Sequence, residues 1–202
     1  MRAMTESWFV EPVLPSAPGA EQYLALDFVN SAIALPGGQL IDLLGTPEAT
    51  NHWLTERGLA PAGAGVQEMC ATQLRSLREH VRALFAAHVA GFPPLPAALS
   101  AVNDALSKAP TAALLLWNDK EGPYRAAPCP TNEVLEHALA ALAASTADLL
   151  TGPHSGCLTA CDSTPCNRYL LRRGRRHWCS TRCGDRARAA RAYARRTQSK
   201  AD

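Results

Sequence analysis

A chain of 202 residues, 47% of them hydrophobic, has room for one domain of ordinary size and a small appendage, but is short for two full domains. No run of about 18 uninterrupted apolar residues occurs, which argues against a membrane span. The opening MRAMTESWFVEPVLP lacks the pattern of a secretory signal, so a cytoplasmic location is the default expectation. The net charge of +2 conceals an asymmetry: residues 1–153 carry 8 Lys+Arg against 15 Asp+Glu (net −7), and residues 154–202 carry 12 against 3 (net +9). An acidic body with a basic tail suggests two jobs, and the tail should meet something anionic.

In chain order, residues 1–20 are rich in Pro, Ser, Ala and Gly and read as an irregular lead-in. Tyr23 to Asn30 (YLALDFVN) is a compact apolar segment, broken at Pro36-Gly37-Gly38. Thr46-Pro47-Glu48 places a cap residue, a first-turn proline and an early acid together, which predicts a helix to about Arg57 with Gly58 as its stop. Residues 66–90 predict a long amphipathic helix: Leu74, Leu77, Val81, Leu84, Phe85 and His88 recur at spacings of three and four. A shorter helix is expected over Pro96–Ser107. A β-hairpin follows, with Leu114–Trp117 and Tyr124-Arg125 flanking the turn Asn118–Gly122. Thr131 to Leu150 predicts another helix, capped by Thr131 or Asn132, and Thr151–Gly156 reads as a linker. Much of the apolar content is alanine, which favours close-packed helices. The expected fold is therefore mainly α (α+β): a helical domain over 21–152 with a small hairpin, then a module over 153–202.

Five of the seven cysteines lie between positions 157 and 183, and in a cytosolic protein such clustering points to metal ligation rather than disulfides. Cys70 and Cys129 stand apart and read as ordinary thiols. Two close pairs, Cys161-DSTP-Cys166 and Cys179-STR-Cys183, are separated by twelve residues. Each pair suits one tight turn, and the spacer can form a hairpin bringing the turns together, with Arg172-Arg-Gly174-Arg-Arg as tip and Tyr169–Leu171 and His177-Trp178 as strands. Cys161, Cys166, Cys179 and Cys183 are the expected ligands of a structural zinc, because four thiolates leave no open position for chemistry. Cys157 in place of Cys161, or His177 in place of a cysteine, are the alternatives. Metal binding would supply much of the folding free energy of so small a module.

After Cys179, Ser180 can cap a helix running to about Arg196. Arg188, Arg191 and Arg195 share one face of it, Arg182 and Arg186 another, and Ala187, Ala190 and Ala194 form a stripe expected to lie against the metal module. With Arg172, Arg173, Arg175 and Arg176 at the tip, Arg186, Arg188, Arg191 and Arg195 make a cationic surface suited to phosphates and guanine edges, so DNA is the expected partner. The competing readings are a solvated helix paired with the acidic body, or a different anionic partner.

No dinucleotide fingerprint, P-loop, His-Glu-x-x-His or nucleophile elbow occurs, and no catalytic residue is assigned. Asp27 and Asn30, three apart, could share a helix face as a ligand-binding pair at a pocket mouth, or serve local structure. His52, His80, His88 and His137 are scattered and read as packing or surface residues.

Trp178-Cys-Ser-Thr-Arg-Cys-Gly-Asp-Arg186 resembles the signature of the CGNR zinc-finger family. Tyr23-LALDFVN-Ser31 with Asn51-HWLTERG-Leu59 resembles the opening of the ABATE domain that usually precedes that finger. The resemblance covers about residues 22–196. It departs at Asp185, where the family has asparagine, and in three rather than four residues between the last two cysteines. It implies a bacterial, stress-linked transcription regulator with a treble-clef-like or ribbon-like zinc module and a C-terminal basic helix. On this reading the helical domain senses a small-molecule effector or mediates assembly, a homodimer included. The rivals are an enzyme or cofactor-binding protein with its pocket in the helical domain, and a protein–protein adaptor.

Overall fold

The computed structural model describes residues 15–109, 114–126 and 133–198. Helix α1 (Leu24–Val29) opens the helical domain and buries Ala25, Leu26, Phe28 and Val29. Strands β1 (Ala32–Ala34) and β2 (Leu40–Asp42) pair antiparallel. Gly37 and Gly38, read from sequence as a break, form the turn between them at φ 83° and 77°, values glycine adopts without strain.

Helix α2 (Pro47–Glu56) starts where its local chemistry dictates: the Thr46 Oγ1 accepts from the Ala49 amide at 3.2 Å, and Pro47 occupies the first turn. Helix α3 (Glu68–Ala90) ends at Gly91 in the left-handed region, φ 72°. Its apolar stripe Leu74, Leu77, Val81, Leu84 and Phe85 is buried, as the spacing predicts. Helix α4 (Pro96–Leu106) and the hairpin of β3 (Leu114–Asn118) and β4 (Gly122–Ala126) follow the expected order. Helix α5 (Val134–Thr151) begins after Glu133; Thr131, Asn132 and Cys129 lie outside the described residues. By length and composition α5 could cross a membrane, but Ala138, Leu139, Leu142, Ala143 and Leu149 are buried against α1, α3 and α4, which makes it the central helix of the core.

Phe28, Phe85, Leu26, Leu54, Leu74, Leu142 and Leu149 are fully buried, each worth about 1.5–3 kcal/mol of transfer free energy. One charge pair sits at the edge of this core. The Arg78 guanidinium, 4% exposed, donates to both carboxylate oxygens of Asp42 at 2.6 and 2.8 Å and to Ser31 Oγ at 3.0 Å. Burial alone would raise the Asp42 pKa, but the hydrogen bonds from Arg78 and the Leu44 amide, with the charges of Arg78 and Arg75, hold it below the ordinary 3.8.

The C-terminal module is not a separate body. Its strands β5 (Leu158–Ala160) and β6 (Tyr169–Leu171) pair antiparallel, and Leu158, Tyr169 and Leu171 belong to the same apolar cluster as α1, α3 and α5. The Tyr169 ring meets Phe85 edge-on at 5.6 Å. Here the structure corrects the sequence reading of the hairpin. Tyr169–Leu171 pairs with Leu158–Ala160, not with His177-Trp178, because burial of Leu158 and Leu171 opposite one another fixes that register.

Polar clamps close the seam. Asn30, 4% exposed, donates its amide to Tyr169 O at 2.9 Å and accepts from Tyr169 N at 2.8 Å. Asn167 does the same for β1, accepting from Ala34 N at 2.9 Å and donating to Ala32 O at 3.2 Å. Arg82 spans from Val29 O (2.6 Å) to Asn167 O (2.8 Å).

The end of the expected lead-in is also tied down. Leu171 N donates to Pro18 O at 2.8 Å, Ala17 is 1% exposed against the module, and a Cβ on Gly19 (φ 95°) would come within 2.5 Å of the Leu171 side chain. The expected linker is likewise structured: α5 runs through Thr151, a 3-10 turn spans Ser155–Cys157, and His88 Nε2 lies 3.0 Å from Ser155 O.

Candidate metal centre and cationic surface

Four cysteines converge in the module. Cys161 leaves β5 with its amide on Arg168 O at 2.9 Å, and a tight turn carries the chain to Cys166, whose amide donates to Ser163 O at 2.7 Å. Cys179 precedes helix α6 (Thr181–Gln198), and Cys183 lies in its first turn. Ser180 caps that turn, its Oγ accepting from the Cys183 amide at 3.2 Å. A turn supplying two ligands and a helix N-terminus supplying two more is a treble-clef-like arrangement.

The sulfurs of Cys161, Cys166, Cys179 and Cys183 all lie within 4.8 Å of one another, with Cys166–Cys179 and Cys179–Cys183 at 3.6 Å. Zinc–sulfur bonds of about 2.3 Å in a tetrahedron require edges of about 3.8 Å, so the donor set fits a tetrathiolate zinc. Neither Cys157 nor His177 joins the group. Cys157 packs against the core of the helical domain, and His177 Nδ1 lies 3.6 Å from Asp162 Oδ2.

Electrostatics point the same way. Hydrogen bonds from Cys166 and Cys179 favour the thiolate at Cys161 and hold its pKa well below the usual thiol range. Donating to that thiolate pushes Cys166 and Cys179 above the usual thiol range. Crowded sulfurs resist carrying more than one negative charge among them; a bound dication removes that penalty and lets all four ionise, with release of protons.

The arginines expected to form one surface divide into two kinds. Arg172, Arg173, Arg175 and Arg176 are exposed around Gly174, whose φ of 60° turns the tip. Arg173 pairs with Glu21 at 3.3 Å, and Arg176 Nε donates to Trp178 O at 3.1 Å. On α6, Arg182, Arg188, Arg191 and Arg195 are exposed. Arg188 pairs with Asp185 at 2.5 Å, and the guanidiniums of Arg188 and Arg191 lie 5.5 and 5.6 Å from the Trp178 ring centre. Arg186 is different. It turns inward, donating to Ser163 Oγ at 3.0 Å, Ser163 O at 3.2 Å and Cys183 Sγ at 3.3 Å.

The alanine stripe also departs from expectation. Ala187 is buried against the module, but Ala190 and Ala194 are exposed, and no described residue after Ala187 is buried. Beyond its anchored first turns α6 leaves Ala190 and Ala194 to solvent, so the module covers only the first residue of the stripe. Gly184 has its own reason: a Cβ there would sit 3.1 Å from the Trp178 ring.

The proposed ligand pair of the helical domain is not brought together as a pocket mouth. Asn30 is committed at both ends of its amide to Tyr169. Asp27 is hydrogen-bonded to Arg57 and faces an open groove of about 460 Å³ with Ser16, Ala20, Glu21 and Glu56. Sequence reasoning missed Arg168, Asn167 and Ser163. Arg168 and Ser163 are buried and Asn167 half-buried around the metal turn, and the only sequence signal was their place within or directly after the first cysteine pair.

Two family models match the chain. One, ABATE, described as "Putative stress-induced transcription regulator", matches residues 22–153, and the other, described as "CGNR zinc finger", matches residues 158–196. No curated protein matches it.

Proposed function

The chain belongs to the ABATE family and carries a CGNR zinc finger over residues 158–196; we propose that it is a transcription regulator that docks on DNA through the cationic surface of the finger. The observation that carries this reading is the exposed half of α6. Its residues 188–198 have no buried member, present Arg188, Arg191 and Arg195, and stand on the same module as the four tip arginines. The segment from 154 onward carries net +9, while the rest of the chain carries −7. A helix that buried this face against its own domain would serve structure; one that holds it in solvent suits an anionic partner.

In this reading Cys161, Cys166, Cys179 and Cys183 hold zinc in a purely structural role. The metal fixes the start of α6 relative to the Arg172–Arg176 tip, so two arginine sets reach one duplex together. The helical domain then senses a small molecule or mediates assembly. The groove beside Asp27 supports the first role, and Leu115, Trp117 and Tyr124, exposed on the β3–β4 hairpin, support the second.

Fluorescence anisotropy of the zinc-loaded chain on duplex DNA across a salt series tests the reading. If about five phosphates are engaged, log K falls with log salt at a slope of about −4.5. Changing Arg191 and Arg195 together to Ala should lower that slope by about 2. No binding at low salt would overturn the proposal.

A further inference from the structure

The two inward-facing arginines of the finger share one property: neither has a carboxylate partner among the described residues. Arg168 is 5% exposed, its Nη2 donates to Pro15 O at 2.8 Å, its Nε has no partner, and its Nη1 points to Cys179 Sγ at 3.9 Å. Burying a guanidinium without a counter-charge is strongly unfavourable, so a nearby anion offsets that cost. Arg186 reaches Cys183 Sγ at 3.3 Å while Ser163 holds the rest of its fork. Each arginine therefore addresses one sulfur of the cluster, and the two sulfurs are the pair contributed around the start of α6.

Zinc with four thiolates carries a net charge of −2. We infer that Arg168 and Arg186 are the charge-balancing partners of this centre, bringing it to neutrality and making its sulfurs inert. Arg186, the arginine of the Cys-Gly-Asp-Arg run, is then a positioning residue of the metal centre and not a contact to nucleic acid. The inference rests on the zinc-finger reading and on no property of DNA. Hydrogen bonds and positive charge on a metal-bound thiolate draw electron density from sulfur, which slows its attack on electrophiles and lowers its tendency to leave the metal. The arrangement also explains why Ser163, 1% exposed, sits in the first metal turn: it fixes the Arg186 fork at Oγ and O and so ties that turn to α6.

The test uses the full-length, zinc-loaded chain and the rate at which iodoacetamide releases zinc to a chromogenic chelator. Alkylation forms a sulfur–carbon bond, expels iodide and removes one ligand, so release reports thiolate reactivity. Arg186→Gln, which keeps a hydrogen-bonding side chain but not the charge, should release zinc about 10-fold faster than wild type. Arg186→Lys, which keeps the charge, should stay within about 2-fold. Equal rates for wild type and Arg186→Gln, both holding one zinc per chain, would overturn the inference. A wild-type chain that holds no zinc would instead overturn the zinc reading beneath it.

A second readout reports the electronic state of the sulfurs directly. With cobalt in place of zinc, the sulfur-to-metal charge-transfer band of the full-length wild type should lie at higher energy than that of full-length Arg186→Gln. Coincident bands would also overturn it.

Discussion

The helical domain and the finger reach order by different means. In the first, long side chains spaced three and four apart on α3 and α5 close over Phe28, Phe85 and Leu142, and water is excluded by area alone. In the second, the apolar cluster around the buried cysteines adds, among the described residues, only Ala17 and Leu170 with the half-buried Trp178, too little area to hold a fold, and the work passes to a metal and to arginine–sulfur contacts. The lesson lies at their border. Leu158, Tyr169 and Leu171 are part of the finger by sequence and part of the helical core by packing. The unit that folds by apolar burial therefore extends past residue 157, and the unit that needs metal is smaller than the family segment it lies in.

Removing the metal should separate the two regions most clearly. Binding of structural zinc in finger peptides is worth about 10–16 kcal/mol. Chelation, or Cys179→Ala, should therefore abolish order in residues 161–166 and in α6 while α3 and α5 keep their amide protection. Hydrogen exchange with and without chelator measures this, and loss of protection in α3 would mean that one metal-dependent unit spans the chain. Next, Phe85→Ala attacks the apolar side and should cost about 3–5 kcal/mol in urea denaturation. The loss should include the β5–β6 hairpin, since the Phe85 ring packs on Tyr169.

Asn30→Ala addresses the border itself. It leaves the Tyr169 amide and carbonyl without their buried partner, at a cost of about 2–3 kcal/mol. That cost should shrink in metal-free protein if zinc helps present β6, and an equal cost in both states would separate the two regions.

The Asp42–Arg78 pair gives a milder effect with a defined sign. Because the folded Asp42 pKa lies below 3.8, its contribution is present above that value and is lost as pH falls through the depressed one. Urea midpoints measured from pH 6 down to pH 2 should fall less steeply on the acid side in Asp42→Asn than in wild type, from a lower starting stability. The smallest stability effect belongs to α6: Arg191→Ala and Arg195→Ala should change stability by less than about 0.5 kcal/mol, because neither side chain is buried. A thermal melt showing a larger loss would mean that the exposed helix supports the fold.

What was legible in the sequence was what local chemistry decides. Thr46-Pro47, Gly58, Gly91 and Pro96 mark helix ends because caps and glycine backbones act within one turn. The cysteine spacing was legible because tetrahedral thiolate geometry limits which turns can hold a metal. The partner of β6 was not, since three-residue strands carry too little alternation and the choice was made by distant burial against α3. Asn30 was ambiguous for the same reason: its two bonds reach across 139 residues of chain. Arg168 and Arg186 could not be told from the tip arginines by counting charge, because inward and outward arginines look alike until the fold assigns them a sulfur or solvent.

The strap formed by Pro15 to Gly19 has a consequence for how the chain is made. Its partners, Arg168 and Leu171, lie more than 150 residues downstream. Synthesis at about 5–20 residues per second leaves the strap waiting for roughly 8–30 s before the surface that receives it exists. The helical core can form in that interval, but Ala17 can find its place only after the cysteine module has emerged. The Pro15–Gly19 strap is thus among the last described parts to settle, and slowing metal delivery during synthesis should prolong protease sensitivity at the strap itself.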